Sequence, residues 1–206
     1  MKTPSTPSKS VSIQHYKSPA IKQWRNMTFT EKLTAELRSA EKRGGRAVTV
    51  NLSTPFEELL KKSENPMRIV GKRMNKALNA HGIHELPILL LLEAAKDNDR
   101  LHLHGVFIRG EHPMEVIKLA LRKAVGLVRG RSGATQFHQC ELYCFEAWAT
   151  YITKAIRKTE KLLNSVPAKR LIWQSQPILR LARKDHDAAF LAKAANVNCT
   201  PANRSA

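Results

Sequence analysis

Cysteine is scarce in this chain of 206 residues, and its three cysteines exclude two common kinds of site. Cys140, Cys144 and Cys199 have neither the even number of a disulfide framework nor the paired spacing of a zinc site. Cys140 and Cys144 flank a predicted strand, so we expect them to be packing residues. Unpaired thiols are typical of a reducing compartment, and we expect a cytoplasmic location.

Long apolar runs and nucleotide-binding loops are also missing. The longest apolar run, 86–92, is too short to cross a bilayer, and no signal-peptide pattern is present, so we expect no membrane partner. The stretch 129–133 is basic and contains glycine, but it lacks the Gly-x-x-x-x-Gly-Lys-Ser/Thr order of a phosphate-binding loop. The sequence therefore contains no helicase-type motor.

Acidic residues are too few to balance the basic ones. Lys and Arg number 35 against 17 Asp and Glu, which gives a net charge of +18. This excess favours a polyanionic partner, because each phosphate that is contacted releases counterions. Residues 1–27 are basic, contain no acid and are rich in Ser, Thr and Pro, which predicts a disordered tail.

Hydrophobic periodicity predicts alternating strands and helices after this tail. The predicted elements are a helix over 28–41, a strand over 46–52, a helix over 55–80 broken near Pro66, strands over 83–94 and 101–109, a helix over 114–128, a strand over 135–145 and a helix over 146–163. The order β-α-β-β-α-β predicts an α+β, ferredoxin-like fold with a central antiparallel sheet and flanking helices, one sheet face being open. Residues 28–165 would form this domain, and 166–206 a basic helical extension.

Two histidines lie two residues apart in one predicted strand. Side chains at i and i+2 point to the same face of a strand, so His102 and His104 should stand side by side. The preceding strand ends in Glu93, and the polar turn at 96–100 predicts a hairpin that brings Glu93 close to His102. Two imidazoles and a carboxylate suit a divalent cation with open coordination positions.

Other interpretations of these residues stay open at the level of sequence. One histidine could be a hydrogen-bonded core residue, and Glu93 could be a strand-end charge that meets water. The alternative third ligands are His84, Glu85 and Gln136.

The helix predicted over 146–163 carries a tyrosine and a lysine one turn apart. Trp148, Tyr151, Lys154 and Lys158 fall on one stripe at spacings of three and four residues. A nearby ammonium favours the charged form of a phenol and can hold a phosphate oxygen, which suits a tyrosine nucleophile. Taken alone, a tyrosine such as Tyr151 is more often a half-buried structural residue of a helix.

Together these residues resemble the HUH endonucleases, and within them the rolling-circle replication initiators (Rep) of plasmids and filamentous phages. The resemblance consists of Leu-His-Leu-His-Gly at 101–105, the upstream strand ending in Glu93, and Tyr-x-x-Lys at 151–154. The strand at 46–52 also looks like the family's first motif. The resemblance covers roughly residues 45–163.

The resemblance implies cleavage and joining of single-stranded origin DNA through a 5′-phosphotyrosine, with Mg²⁺ or Mn²⁺ as cofactor. His102, His104 and Glu93 would hold the metal, Tyr151 would be the nucleophile and Lys154 would assist it. A host helicase and polymerase are expected partners, since no motor is present. Tyr143, eight residues before Tyr151, is the alternative nucleophile, and no second tyrosine follows on the same helix.

Three alternative functions stay open. Single-strand transposases and relaxases of the same superfamily use the same parts, although relaxases usually place the tyrosine ahead of the histidines. A non-catalytic nucleic-acid-binding module shares the order of elements. The RNA-recognition type stacks bases on sheet aromatics, whereas aromatic content here is 6% and His102 and His104 occupy such positions.

The net charge yields the first testable prediction. Binding to single-stranded DNA should weaken with salt, with a log–log slope of about −0.7 per phosphate contacted. Deleting residues 1–25 should flatten this slope in fluorescence anisotropy titrations without abolishing cleavage, because none of the proposed ligands lies there. A deletion variant that folds and yet loses all cleavage would contradict this role for the tail.

Overall fold

The structure is a computed structural model that describes residues 21–128, 133 and 135–198, and it confirms the predicted α+β fold. The strands are β1 (Arg46–Asn51), β2 (Ile88–Ala94), β3 (Leu101–Phe107), β4 (Phe137–Glu141) and β5 (Ile172–Gln174). They form one antiparallel sheet in the order β4-β1-β3-β2-β5. The helices are α1 (Phe29–Glu41), α2 (Thr54–Lys61), α3 (Pro66–Asn79), α4 (Met114–Ala124), α5 (Phe145–Thr153), α6 (Ile156–Leu162) and α7 (Gln176–Asn198).

The centre of the sheet is the hairpin of β2 and β3, with β1 on the other side of β3. Its register pairs His102 with Glu93 on β2 and with Asn51 on β1. Gly105 permits the close approach of these strands, because a Cβ at this position would lie 1.9 Å from the carbonyl oxygen of Leu89. The predicted hairpin is therefore confirmed, with Glu93 directly opposite His102.

Helices cover both faces of the sheet, which differs from the open face expected from the order of elements. α2, α3 and α4 pack on one face, against strand residues such as Leu90 and Leu103. On the other face, α1, α5 and α7 cover the part that contains Leu89 and Val106. The cause is that β2 is apolar on both faces, so each face has to be buried. The histidines lie in the same face as Val106, further toward the beginning of β3.

The predicted C-terminal extension contributes to the same sheet and core. β5 pairs with β2, and Ile178 of α7 is completely buried in the cluster formed with α1. Of the predicted tail, residues 21–27 include a short 3-10 helix, Trp24–Asn26, and Trp24 contacts the ring of His186. Residues 1–20, 129–132, 134 and 199–206, with Cys199, lie outside the described residues. No helix of the described part has the length and apolar character needed to cross a membrane.

Two local predictions around β4 and α5 are wrong. Cys140 and Cys144 are exposed instead of packed, because Cys140 lies in β4, which is an edge strand, and Cys144 lies in the loop just before α5. The helix predicted over 146–163 is interrupted at Lys154–Ala155 and forms α5 and α6. The Thr153 hydroxyl donates to the carbonyl oxygen of Ala149 at 2.7 Å, a bond that competes with regular helix geometry and bends helices.

The packing of α1 on β5 buries an ionisable group and yields a second prediction. Glu36 is 1% exposed and accepts hydrogen bonds from Gln174 at 2.7 and 3.0 Å, yet burial raises its pKa to about 7. Since the folded state binds this proton more tightly than the unfolded state, the contribution of Glu36 to stability is greatest below about pH 4.5 and is lost as the pH rises to about 7. Glu36→Gln should remove this loss, which amounts to about 3 kcal/mol. Urea unfolding across this range measures it.

The control is Glu115→Gln, which changes an exposed carboxylate on α4 in the same way. This variant should keep the pH profile of the unmodified chain. If the Glu36→Gln profile also matches that of the unmodified chain, Glu36 does not titrate in this range and the prediction is wrong.

Candidate metal centre

The two histidines face each other within the sheet. His104 is 3% exposed and His102 is half-buried, and their Nε2 atoms lie 2.9 Å apart. At this separation only one of the two nitrogens can carry a proton. Two ligand nitrogens bound at right angles, about 2.1 Å from one cation, would lie about 3 Å apart. The pair therefore fits two adjacent positions around a metal ion.

A hydrogen bond on the far side of the His104 ring orients its Nε2 atom. Thr49 Oγ1 lies 2.8 Å from His104 Nδ1. A proton on His104 Nδ1 can be donated to the Thr49 hydroxyl, which leaves Nε2 with its lone pair. Such partners fix the tautomer of metal-binding histidines.

Glu93 supplies a buried carboxylate that has no hydrogen bond at one of its oxygens. The residue is 3% exposed, and its Oε2 makes no hydrogen bond within the described part of the chain. This oxygen lies 3.2 Å from His104 Nε2, and the ligand atoms of Glu93, His102 and His104 all lie within 4.8 Å of one another. A buried polar atom without a partner is costly, and a cation would be a suitable partner. The three residues could therefore hold a metal ion.

Burial determines the charge state of these ligands. Burial, with His102 and Lys154 nearby, lowers the pKa of His104 to about 3, and burial also lowers the pKa of His102. Both rings are therefore neutral at neutral pH, so the contact between His104 and Glu93 is not an ion pair. Burial raises the pKa of Glu93, while the Lys154 ammonium opposes this shift. A divalent cation would stabilise the Glu93 carboxylate, and the neutral imidazoles would not have to lose an extra proton to bind it.

α5 places the predicted nucleophile against the cluster. The ring of Tyr151 lies 5.3 Å from that of His104, centroid to centroid, and stacks on Trp148 at 5.1 Å with an angle of 11°. Trp148 Nε1 in turn donates to the carbonyl oxygen of Gly105 at 3.0 Å. Tyr151 is 43% exposed, so it contacts a ligand of the site and remains accessible from solvent.

The alternative tyrosine lies elsewhere. Tyr143 is in the loop between β4 and α5, not in a strand, and it is 81% exposed. A hydrogen bond with Glu141 raises the pKa of the Tyr143 phenol, which makes its nucleophilic phenolate form less accessible. The structure therefore brings Tyr151, and not Tyr143, to the histidines.

The two lysines of the predicted stripe have different positions. Lys154 Nζ lies 3.4 Å from the centre of the Tyr151 ring and 3.8 Å from Glu93 Oε1, so it belongs to the site. Lys158, beyond the helix break, donates to the carbonyl oxygens of Ala95 and Lys96 and pairs with Asp99 at 2.7 Å. Lys158 therefore holds the hairpin turn.

The three alternative ligands are not at the cluster. His84 and Glu85 are exposed in the loop before β2, at the opposite end of that strand from Glu93. Gln136 is fully buried, but its amide oxygen accepts from Arg122 Nε and Val128 N, and its nitrogen donates to the carbonyl oxygens of Asn51 and Gly126.

Sequence reasoning missed two residues that support the histidines. Thr49 bonds His104, and its position follows from strand alternation only once the register of β1 with β3 is known. Glu57 of α2 is 1% exposed, accepts from Leu101 N at 3.1 Å and pairs with Arg100, so it fixes the residues just before His102. Its only sequence signal is a carboxylate next to Phe56 on the apolar side of a helix.

A polar groove of about 410 Å³ continues from His102. It is lined by Asn51, Thr54, Asn98, Arg100 and Thr135, among other residues. Neither His104 nor Tyr151 lines it. Of the cluster, His102 is the residue that faces this groove.

Comparisons of the chain with protein-family models, with curated proteins and with solved structures found no match. Functional inference therefore depends on the geometry of this site and on the resemblance of its motifs.

The cluster predicts tight, specific binding of a divalent cation. Mn²⁺ at 100 times its Kd should raise the unfolding free energy by about 2.7 kcal/mol, and His104→Ala or Glu93→Gln should remove most of this gain. Thr49→Val keeps the side-chain shape but loses the bond to His104, so its affinity should fall about 10–100-fold. Calorimetric titration and thermal unfolding with Mn²⁺ measure both effects.

His84→Ala is the matched control, since it removes an exposed histidine away from the cluster. It should bind Mn²⁺ like the unmodified chain. Equal affinity of the His104→Ala and unmodified chains would show that the cation binds elsewhere.

Proposed function

We propose that this chain is a metal-dependent nickase of single-stranded DNA that initiates rolling-circle replication through a tyrosine-linked intermediate. The observation that carries the proposal is the contact of an exposed tyrosine, Tyr151, with His104 in a cluster able to hold a metal ion. A phenol beside such a site fits nucleophilic attack on a phosphodiester. The net charge of +18 supports a nucleic acid as substrate.

His102, His104 and Glu93 are the residues that would hold the metal. A carboxylate with two imidazoles and open positions suits Mg²⁺ or Mn²⁺. When bound, the cation would polarise the scissile phosphate and offset the negative charge that develops on its oxygens.

Tyr151 is the proposed nucleophile. Its phenolic oxygen gives up its proton to water and forms a bond to phosphorus while the bond from phosphorus to the 3′ oxygen breaks. The 3′ oxygen takes up a proton, so one DNA end is a free 3′ hydroxyl and the other is a 5′-phosphotyrosine. Because one ester replaces another, the reverse reaction rejoins the strand without ATP.

Lys154 and Trp148 prepare the tyrosine for this reaction. The Lys154 ammonium lies over the Tyr151 ring and is placed to hold an oxygen of a phosphate that the tyrosine attacks. Trp148 limits rotation of the ring by stacking on it, while its own indole is held by the hydrogen bond to Gly105. Such positioning of a nucleophile lowers the entropic part of the activation barrier.

The groove beyond His102 suits the strand that leaves with the free 3′ hydroxyl. In an in-line displacement the entering and leaving oxygens lie on opposite sides of phosphorus. Since Tyr151 lies on the His104 side, the leaving strand would extend past His102 into the groove. There the amides of Asn51 and Asn98 can hydrogen-bond to bases or phosphates.

The decisive test is covalent capture of DNA. The full chain is incubated with Mn²⁺ and a pool of single-stranded oligonucleotides of randomised sequence, then denatured, and adducts are mapped by peptide mass analysis. Tyr151→Phe keeps the ring and its stacking but lacks the attacking oxygen, so it should fold, bind DNA and form no adduct. Sequencing of captured DNA should show one preferred 5′ end.

Tyr143→Phe is the matched control and should form the adduct at the rate of the unmodified chain. EDTA should abolish capture. An adduct that persists in Tyr151→Phe would refute the assignment of the nucleophile. If no variant and no metal gives an adduct, the chain is a nucleic-acid-binding module and the nickase proposal fails.

A further inference from the structure

We infer that the outer face of α3 is a second nucleic-acid surface, which binds the phosphate backbone of duplex DNA. Its central residues are Arg68, Lys72 and Lys76, which we name the α3 basic stripe. All three are exposed. The inference goes beyond the proposed nickase and does not depend on it, because the stripe shares no residue with the candidate site.

α3 is held rigidly on the sheet, so its outward face has a fixed shape. Met67, Val70, Met74 and Leu78 are each at most 5% exposed and pack in the core beneath the helix. Gly71 allows close packing on Trp173, since a Cβ there would lie 2.4 Å from the indole nitrogen. The stripe is therefore presented by a well-anchored helix and not by a frayed one.

The spacing of the stripe suits a row of phosphates. Residues four apart in a helix lie on the same face and about 6 Å apart along its axis. Arg68 to Lys76 therefore spans about 12 Å, which is the axial length of three to four nucleotides of one DNA strand. Three cations in a line can thus contact successive phosphates along one edge of a groove.

The stripe also lacks acidic partners, which several basic residues on the other helices have. The segment 66–79 contains no Asp or Glu, and none of the three stripe residues forms an ion pair within the described residues. By contrast, Lys61 of α2 pairs with Glu57, Lys118 of α4 with Glu115, and Arg183 of α7 with Asp187. Because these cations are unpaired, no ion pair has to be broken when they bind phosphate, so none of the binding free energy is lost in this way.

The composition of this face favours DNA over a membrane surface. Asn75 and Asn79 are exposed on α3 and are amide donors suited to phosphate oxygens. None of the exposed large apolar residues of the described chain lies on α3, whereas a helix that binds a membrane surface inserts apolar side chains. Since every apolar residue of α3 points into the core, the face has nothing to insert.

The same face favours duplex DNA over a single strand. Proteins that bind single strands without sequence preference stack bases on aromatic side chains, and α3 has no aromatic residue. The Phe56 ring beneath this helix is 2% exposed and is covered by the Arg73 guanidinium at 4.4 Å, and the Trp173 ring packs against Gly71 on the inner side of the helix. α3 also packs on the sheet face opposite the histidines, so a duplex there leaves the candidate site accessible to a single strand.

The test compares two variants with the same loss of charge. One variant replaces the stripe, Arg68→Gln with Lys72→Gln and Lys76→Gln. The control removes three exposed cations of α1 and α7 through Lys42→Gln, Arg183→Gln and Lys184→Gln. Binding to a fluorescent duplex of mixed sequence is measured by anisotropy at several salt concentrations, and circular dichroism confirms that both variants fold.

The stripe variant should bind the duplex more weakly, and its log–log salt slope should become shallower by about 2.7, which corresponds to three lost phosphate contacts. The slope of the control variant should change by less than about 0.9, the value that corresponds to one phosphate contact. Lys72→Arg with Lys76→Arg should keep the original slope, because the charge and its position are retained. Capture of single-stranded DNA by Tyr151 should be unchanged in the stripe variant.

Three outcomes would overturn the inference. Equal slopes for the stripe and control variants would mean that net charge alone attracts DNA. A stripe variant that loses binding to anionic lipid vesicles, but not to the duplex, would identify a membrane surface. If the stripe variant binds single-stranded DNA more weakly but binds the duplex as before, the α3 basic stripe is not a duplex-binding surface. Absence of any Tyr151 adduct, with the duplex result intact, would refute the nickase and leave the α3 surface standing.

Discussion

The pairing of β3 between β1 and β2 positions all three candidate ligands and the residue that orients one of them. Glu93 lies directly across from His102, and Thr49 lies directly across from His104. A slip of one residue in either pairing would turn these side chains to the opposite face. The register is set by apolar residues on the other face of the same strands, Leu90, Leu92 and Leu103 among them, which are completely buried. The polar site thus depends on the core behind it.

This arrangement has an energetic cost. A carboxylate oxygen of Glu93 is buried without a hydrogen bond. This is unfavourable in a protein that has only to fold, since a leucine at position 93 would bury more easily. Folding energy from the surrounding sheet holds the three groups together, as expected for a site prepared in advance for a cation.

Much of this could be predicted from the sequence, because the relevant signals are local. The i, i+2 spacing of the histidines determines that they share a face, and a polar turn predicts that Glu93 returns beside them. Helical spacing likewise placed Tyr151 and Lys154 on one side of a helix. What could not be predicted depends on long-range packing: the helices over the histidine face, the position of Thr49 and the addition of β5 all require the register or the tertiary fold. The break after Thr153 was missed because no proline or glycine marks it in the sequence.

Lys158 gives the site a mechanical connection that lies outside it. Its ammonium donates to two carbonyl oxygens of the turn that joins Glu93 to His102, and it extends from the helix that follows Tyr151 and Lys154. The Thr159 hydroxyl adds a second link from the same helix, since it accepts from the main-chain nitrogen of Ala94 at 2.9 Å. The hairpin that carries the candidate ligands is thus linked directly to the two helices that follow it in the site, α5 and α6. The distance between tyrosine and histidines is then a property of the scaffold, and a substrate phosphate must fit a gap that is set before it arrives.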